Sequence, residues 1–258
     1  MSILHRLSLA QKFIILGLLA LVMVILPTGL YLQSAFDDVA LSKRQHIGAG
    51  ALVLLNRVTQ LTQTHRGLSA GMLGGNEELA QRRPAVRDTL NKAGEALDSS
   101  LKAVGASTQV SAQWQERKNA WIALEQAVAA RALKTPDSTR QHTALIAGQL
   151  LVNEALLDEF GLSVAPQMDI HMLIQAALVN LPALTESLGL MRAQGTGFLA
   201  QGSLPPEGRA ALQELQRRVL AAQGMLFRNL DKATGANAAF KSALASKAQA
   251  HREQVAKA

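Results

Sequence analysis

From Phe13 to Leu32 the chain reads FIILGLLALVMVILPTGLYL, twenty residues without a charged side chain. A helix of that length rises about 30 Å, the thickness of a bilayer's hydrocarbon core. Lipid offers no partner to a backbone N–H or C=O, so such a run must satisfy its own hydrogen bonds and is predicted to be a transmembrane helix over 13–32. A cleaved signal peptide has a shorter apolar stretch and small residues before the cut. Gln33-Ser34-Ala35 fits that pattern poorly, which favours an uncleaved anchor. Arg6 and Lys12 precede the span, while Asp37 and Asp38 follow it. The positive-inside bias therefore places 1–12 in the cytoplasm and 33–258 outside. Pro27 is tolerable inside a membrane helix, and Tyr31 suits the outer interface. No second span is expected before Ala258, so the reading is single-pass.

The outer region is helical by composition. Aromatics make up 3% of the chain, and runs of β-branched and aromatic residues that would signal strands are absent. Ala, Leu, Gln, Glu, Arg and Lys carry the rest, so the expected class is all-α. The sequence contains no cysteine, which excludes disulfides, thiolate metal sites, c-type haem attachment and cysteine catalysis. A net charge of +7 raises the question of nucleic acid. The basic residues are scattered, however, and cluster only at Lys43-Arg44, Arg82-Arg83 and Arg217-Arg218, with no aromatic platform beside them. The field suits a small anion better than a polynucleotide.

Leu54, Val58, Leu61, His65, Leu68 and Met72 alternate in steps of four and three, a coiled-coil-like seam with His65 its only polar member. The pattern predicts one long helix from the membrane to Leu73, with Gly48 and Gly50 its weak points. Gly74-Gly75-Asn76 reads as a turn. A second helix is expected over Glu77 to about Val104, and a third from Ser107 or Thr108 to about Lys134. A fourth is expected to start at Thr135-Pro136-Asp137, with Thr135 as N-cap, and to run to about Phe160. After a linker at 161–166, a long helix over 168–200 contains Pro182, which should kink it. A helix from 205 to about 232, a break at Thr234-Gly235-Ala236-Asn237 and a last helix to the C-terminus complete the chain, which predicts half-repeats over about 45–160 and 166–258.

Those halves share a motif. Arg66 is followed by Gly71 and Leu73, and Arg192 by Gly197 and Leu199, at an offset of 126 residues. At that offset Leu55 also meets Leu181 and Thr59 meets Thr185. Thr59, Thr62 and Ser69 share a helix face with Arg66, while Thr185, Gly189 and Thr196 share one with Arg192. A guanidinium presents a planar fork that suits a small oxyanion, and hydroxyls can satisfy its remaining lone pairs. The candidate ligand-binding residues are therefore Arg66, Arg192, Thr62, Ser69, Thr185 and Thr196. Against this stands the plain alternative of two arginines that snorkel to solvent near helix ends. Gly67, Gly71, Gly195 and Gly197 would admit close helix approach or mark local unwinding.

The stretch Leu61-Thr62-Gln63-Thr64-His65-Arg66-Gly67-Leu68-Ser69-Ala70-Gly71 resembles the signature region of the nitrate- and nitrite-sensing (NIT) domain family. Leu181 to Gly189, followed by Arg192 and Gly197, looks like the second half of sensor regions in bacterial chemoreceptors of that type. The resemblance spans about 45–255 and is specific at these two regions. It implies a membrane-anchored fold of two stacked helical bundles sharing long helices. It also implies a small oxyanion held between the halves by Arg66 and Arg192, with nitrate or nitrite the default ligand. The implied setting is the inner membrane with the bulk of the chain in the periplasm, as a homodimer. His65 stands where the family more often has Glu. Such receptors continue into a second membrane helix, a HAMP linker and a signalling coiled coil, so the expectation is a receptor segment that ends before them.

Other chemistry finds little support. None of His5, His46, His65, His142, His171 and His251 has a histidine four residues away or the neighbouring carboxylates of a zinc helix. Glu77-Glu78 and Asp158-Glu159 read as helix-end charges rather than acid/base pairs. No enzyme activity, metal or cofactor is expected. The rival to a sensor is a ligand-free membrane-anchored scaffold that dimerises through the 54–72 seam.

Overall fold

The computed structural model describes residues 8–256, and the chain divides into two compact units, 1–46 and 47–258. Arg6, His5 and the first residues lie outside the described part. All regular structure among the described residues is helical. Helix α1 runs from Leu9 to Leu73, ends at the expected residue and is unbroken at Pro27, Gly48 and Gly50. Within the first unit its large apolar side chains, among them Phe13, Met23 and Leu30, are exposed. An eighteen-residue window there reaches a mean hydropathy of 2.7 with none of it buried. This stretch is long and apolar enough to cross a membrane, by length and composition.

In the second unit, α1 packs with α2 (Glu77–Ala103), α3 (Thr108–Ala129) and α4 (Thr135–Glu159) around one core. Leu52, Leu55, Leu97, Val128 and Leu156 are fully buried there. The seam residues Val58, Leu61, His65, Leu68 and Met72 are buried within this same chain. The seam is therefore spent on the chain's own core and is not left for a second copy. Gly48 is not a weak point but a socket: a Cβ there would lie 2.2 Å from Cγ of Phe160. Gly71 likewise receives Leu79, whose Cδ1 would be 2.2 Å from an added Cβ.

Helix ends follow local chemistry. The Asn76 side chain accepts from the Leu79 N–H and caps α2. Ser107 caps α3 by accepting from the Val110 N–H, and Glu159 in turn accepts from both the Ser107 N–H and its hydroxyl at 2.6 Å. Glu159 is thus a tie between α4 and α3 rather than a solvated charge. Two expected boundaries shift. Helix α3 stops at Ala129 rather than Lys134, because Arg131 adopts φ 52° and the Ala132 N–H donates to the Ala127 carbonyl, closing the helix in a Schellman-like turn. The N-cap of α4 is Lys134, so Thr135 is already helical and makes no cap bond.

The remaining helices are α5 (Met168–Ile174), a π-helical segment (Gln175–Asn180), α6 (Leu181–Gln201), α7 (Pro206–Ala236) and α8 (Ala238–Ala256). Helix α7 continues through Gly235, and the expected break falls only at Asn237, whose side chain donates to Asp169 at 2.7 Å. Pro182 neither ends the helix nor leaves its consequence unresolved. A proline removes the N–H that would reach the carbonyl one turn back. Here Asn153 of α4 donates to the Leu178 carbonyl at 2.9 Å, and the turns before Pro182 widen into the π segment. Residues 168–196 are also long and apolar enough to cross a membrane, at mean hydropathy 1.3. Yet this stretch contributes Ala176 and Leu184 to a second core with Val219 and Leu226 of α7.

Candidate functional site

Arg66 sits on α1 with 2% of its surface exposed. An arginine is almost never buried so deeply without a partner. It donates from Nη1 to Oε1 of Glu186 at 2.6 Å and from Nη2 to Oε2 at 3.1 Å. A further bond runs from Nη1 to the Thr143 hydroxyl at 3.0 Å, and Gln63 donates to the same carboxylate at 3.1 Å. Helices α1, α4 and α6 thus converge on one guanidinium–carboxylate pair. The fork-to-fork geometry is that of a planar oxyanion on arginine, with Glu186 supplying the oxyanion.

Arg192 approaches the same contact from the other helix. A Cβ at Gly189 would lie 2.7 Å from Nη2 of Arg66, and a Cβ at Gly67 would lie 3.5 Å from Nη2 of Arg192. Each arginine therefore lies against a glycine of the opposite helix, and a side chain at Gly189 would have to push the tip of Arg66 aside. Unlike Arg66, Arg192 is exposed, and it forms no ion pair with the described residues. Glu186 thus compensates Arg66, while the exposed Arg192 lies beside the same α1–α6 contact.

The predicted hydroxyls are placed as follows. Thr62 and Ser69 are fully buried beside Arg66, while Thr185 is half-buried and Thr196 exposed. The Thr62 hydroxyl donates to the Val58 carbonyl, Thr185 to Pro182 and Thr196 to Arg192. The hydrogens of these three threonines are committed to their own helices, so they offer lone pairs rather than donors to a ligand, while Ser69 Oγ lies 3.2 Å from His65 Nδ1. Gly71 serves Leu79, an added Cβ at Gly195 would meet nothing within 4 Å, and the side-chain position of Gly197 lies outside the described residues.

Beside Arg66 lies a polar chain that sequence spacing did not reveal. His65 and His142 are fully buried with Nδ1 of the first 2.9 Å from Nε2 of the second. His142 Nδ1 faces the Ser138 carbonyl at 2.7 Å, and a carbonyl only accepts. His142 therefore carries its proton on Nδ1 and accepts at Nε2 from His65 Nδ1–H. His65 Nε2 then accepts from Nη1 of Arg83, at 3.1 Å, and Arg83 is held by Glu125 at 3.0 Å. Every proton is assigned by the two ends. Burial, with the neighbouring charge of His142 and Arg83, pushes the His65 pKa down to about 3. Burial likewise holds His142 at about 4, against the Ser138 carbonyl, which favours the charged form. Both rings are neutral at physiological pH, and Trp121 meets the His65 ring edge-on at 4.7 Å.

Glu186, Thr143 and Gln63 complete the Arg66 site without having been singled out from sequence. The one available signal was that Glu186 stands three residues before Gly189, on a neighbouring position of the same helix surface. His142 gave none, being 77 residues from His65.

Comparison with curated proteins and with solved structures finds no significant match. Residues 57–258 match the family described as nitrate and nitrite sensing. That range holds both arginines, Glu186, the last turns of α1 and all of α6. The chain belongs to the NIT family of nitrate- and nitrite-sensing domains.

Proposed function

We propose that this chain is the ligand-sensing, extracytoplasmic part of a membrane signal-transduction receptor of the chemotaxis type. In this reading a small monovalent anion, nitrate or nitrite, binds where Arg66 and Arg192 meet. One observation carries it: the buried Arg66 holds a planar carboxylate through a two-point fork, while Arg192 lies against the same α1–α6 contact without an ion pair among the described residues. The Glu186 carboxylate and nitrate present the same planar two-oxygen edge to a guanidinium, so the anion competes with Glu186 for Arg66.

The exchange replaces a direct α1–α6 ion pair with an anion shared by both arginines, and so changes which packing of the two helices is favoured. Because α1 is one helix from Leu9 to Leu73, the altered packing acts on the same helix that carries the apolar run. The proposed topology has 13–32 across the inner membrane, 1–12 in the cytoplasm and 33–258 in the periplasm. The homodimer we propose uses a surface other than the 54–72 seam. Binding, not catalysis, is the proposed activity.

Thermal unfolding of the full chain in lipid nanodiscs tests this, with millimolar nitrate or nitrite against gluconate. A rise in Tm with the small anions is expected, and Arg192→Gln should abolish it while leaving the gluconate Tm unchanged, since Arg192 is exposed. No rise with either anion would sink the proposal in favour of the ligand-free scaffold.

A further inference from the structure

Away from the arginines, helices α1–α4 line a partly open cavity of about 210 Å³. Its walls include Val58, Leu90, Gly94, Trp114, Trp121 and Gln149. Their chemistry is mostly apolar and flat, the composition of small-molecule pockets. An apolar cavity of about 150 Å³ already admits benzene, so this one has room for a single ring and a substituent.

Apart from Glu95, whose exposed carboxylate is solvated at the rim, the polar groups around it are already matched. Lys118 and the Trp114 indole N–H both donate to Asp98, and Arg117 pairs with Glu116. The Trp121 indole N–H donates to Asn91 at 2.8 Å. Gln149 differs. It is 2% exposed, and its Nε2 donates to the Thr62 hydroxyl at 3.1 Å. That hydroxyl spends its own hydrogen on the Val58 carbonyl at 2.9 Å, so it only accepts from Gln149 and the amide orientation is fixed. The other end, Oε1, is a buried acceptor without a partner among the described residues. A buried acceptor left unpaired is costly, and a donor is what it lacks.

Gly94 supports the same reading from the opposite wall. It lies inside α2, where glycine is a poor helix former. A Cβ there would meet only Trp114 Cζ2, at an ordinary 3.8 Å. Neither backbone conformation nor packing demands a glycine; its effect is to keep this wall open.

We propose that the cavity is a second ligand site, distinct from the arginine contact, for a small neutral aromatic molecule bearing one hydrogen-bond donor. The ring packs between the two tryptophans and the donor binds Gln149 Oε1. Anions are disfavoured because both cations at the wall are already paired. An occupant touches Trp121, whose far side meets His65, the residue before Arg66. The site is therefore placed to bias the arginine contact, although its existence does not rest on what that contact binds.

Trp114 and Trp121 are the only tryptophans in the chain, so intrinsic fluorescence reports this cavity directly. The full chain in nanodiscs is titrated with phenol, toluene and benzoate, exciting at the red edge of the tryptophan band where these probes do not absorb. Phenol is expected to give a saturable change, toluene one about tenfold weaker for want of the donor, and benzoate none. Gly94→Leu, which fills the cavity, should abolish the phenol response while the protein stays folded by circular dichroism. Gln149→Leu should bring phenol down to the toluene affinity. Equal affinities for phenol and toluene in the parent would overturn the donor argument. No saturable response, or one that survives in Gly94→Leu, would overturn the site.

Discussion

Glu186→Gln keeps the shape of a side chain while removing its charge, and so separates its two effects on Arg66. Without a binding anion, the variant leaves a buried guanidinium facing a neutral amide in place of a carboxylate that accepts at 2.6 and 3.1 Å. Removing one partner of a buried pair typically costs about 3–5 kcal/mol. Here the amide oxygen still accepts one bond, Thr143 keeps its own, and the Glu186 side chain is 13% exposed, so a loss of about 2 kcal/mol is expected. Nitrate reverses the sign. In the parent the anion must displace a tethered carboxylate; in the variant it does not. Returning about 2 kcal/mol to the ligand corresponds to about thirtyfold tighter binding. Calorimetric titration with nitrate gives the affinities, and scanning calorimetry in gluconate gives the stability cost. The expected pattern is a lower Tm in gluconate, a larger nitrate-induced rise than in the parent, and a smaller Kd. A folded Glu186→Gln protein that binds nitrate no better than the parent would refute the competition, and with it the idea that the carboxylate occupies the ligand's place.

Three further outcomes follow from the packing. His65 and His142 are neutral in the fold but titrate near 6.5 when unfolded, so protons bind the unfolded state more strongly and stability falls as pH drops below about 6.5, towards about 4 and 3. At pH 5.5 the two together cost about 3 kcal/mol relative to pH 7.5, measurable as a lower urea midpoint; an unchanged midpoint would contradict a neutral pair. Gly48→Val drives a side chain into Phe160 and should lower stability by about 1–3 kcal/mol, with Phe160→Leu in the same chain recovering part of it in thermal unfolding. Asn153→Leu strips the Leu178 carbonyl of its donor, for a loss of about 1–3 kcal/mol. Adding Pro182→Ala supplies a backbone N–H near that carbonyl, so the double variant should be more stable than Asn153→Leu alone.

The helical skeleton was readable because its signals are local. The α1 seam, the Gly74-Gly75 turn and the Ser107 cap each act within a few residues, and α1 ends at Leu73 as the pattern requires. Where a boundary moved, the cause was a conformation with no residue signature, such as Arg131 at positive φ in place of glycine. The site was half-legible for the same reason. The repeat pointed to Arg66 and Arg192, but the partners of Arg66 come from α4 and α6, 77 and 120 residues away. Thr62 shows the limit from the other side. Its place beside Arg66 follows from helix periodicity, yet its hydroxyl donates to its own helix, and that choice depends on what surrounds it.

The π segment before Pro182 is, in mechanical terms, slack. A helix transmits displacement as a rod because each residue has one place in the ladder; a π turn holds a residue more than the ladder needs. Were residues 175–180 to tighten into α-geometry, everything after them would turn by about 100°, one residue's worth. Glu186, Gly189 and Arg192 all lie within that downstream stretch, so the face that α6 offers to Arg66 is set at this point. The pin on that setting is Asn153, which reaches in from α4. A single-residue deletion within 175–180 would therefore take up the slack and leave the α6 face where it stands. A deletion after Leu181 would instead shift the site along with its helix and leave the slack in place.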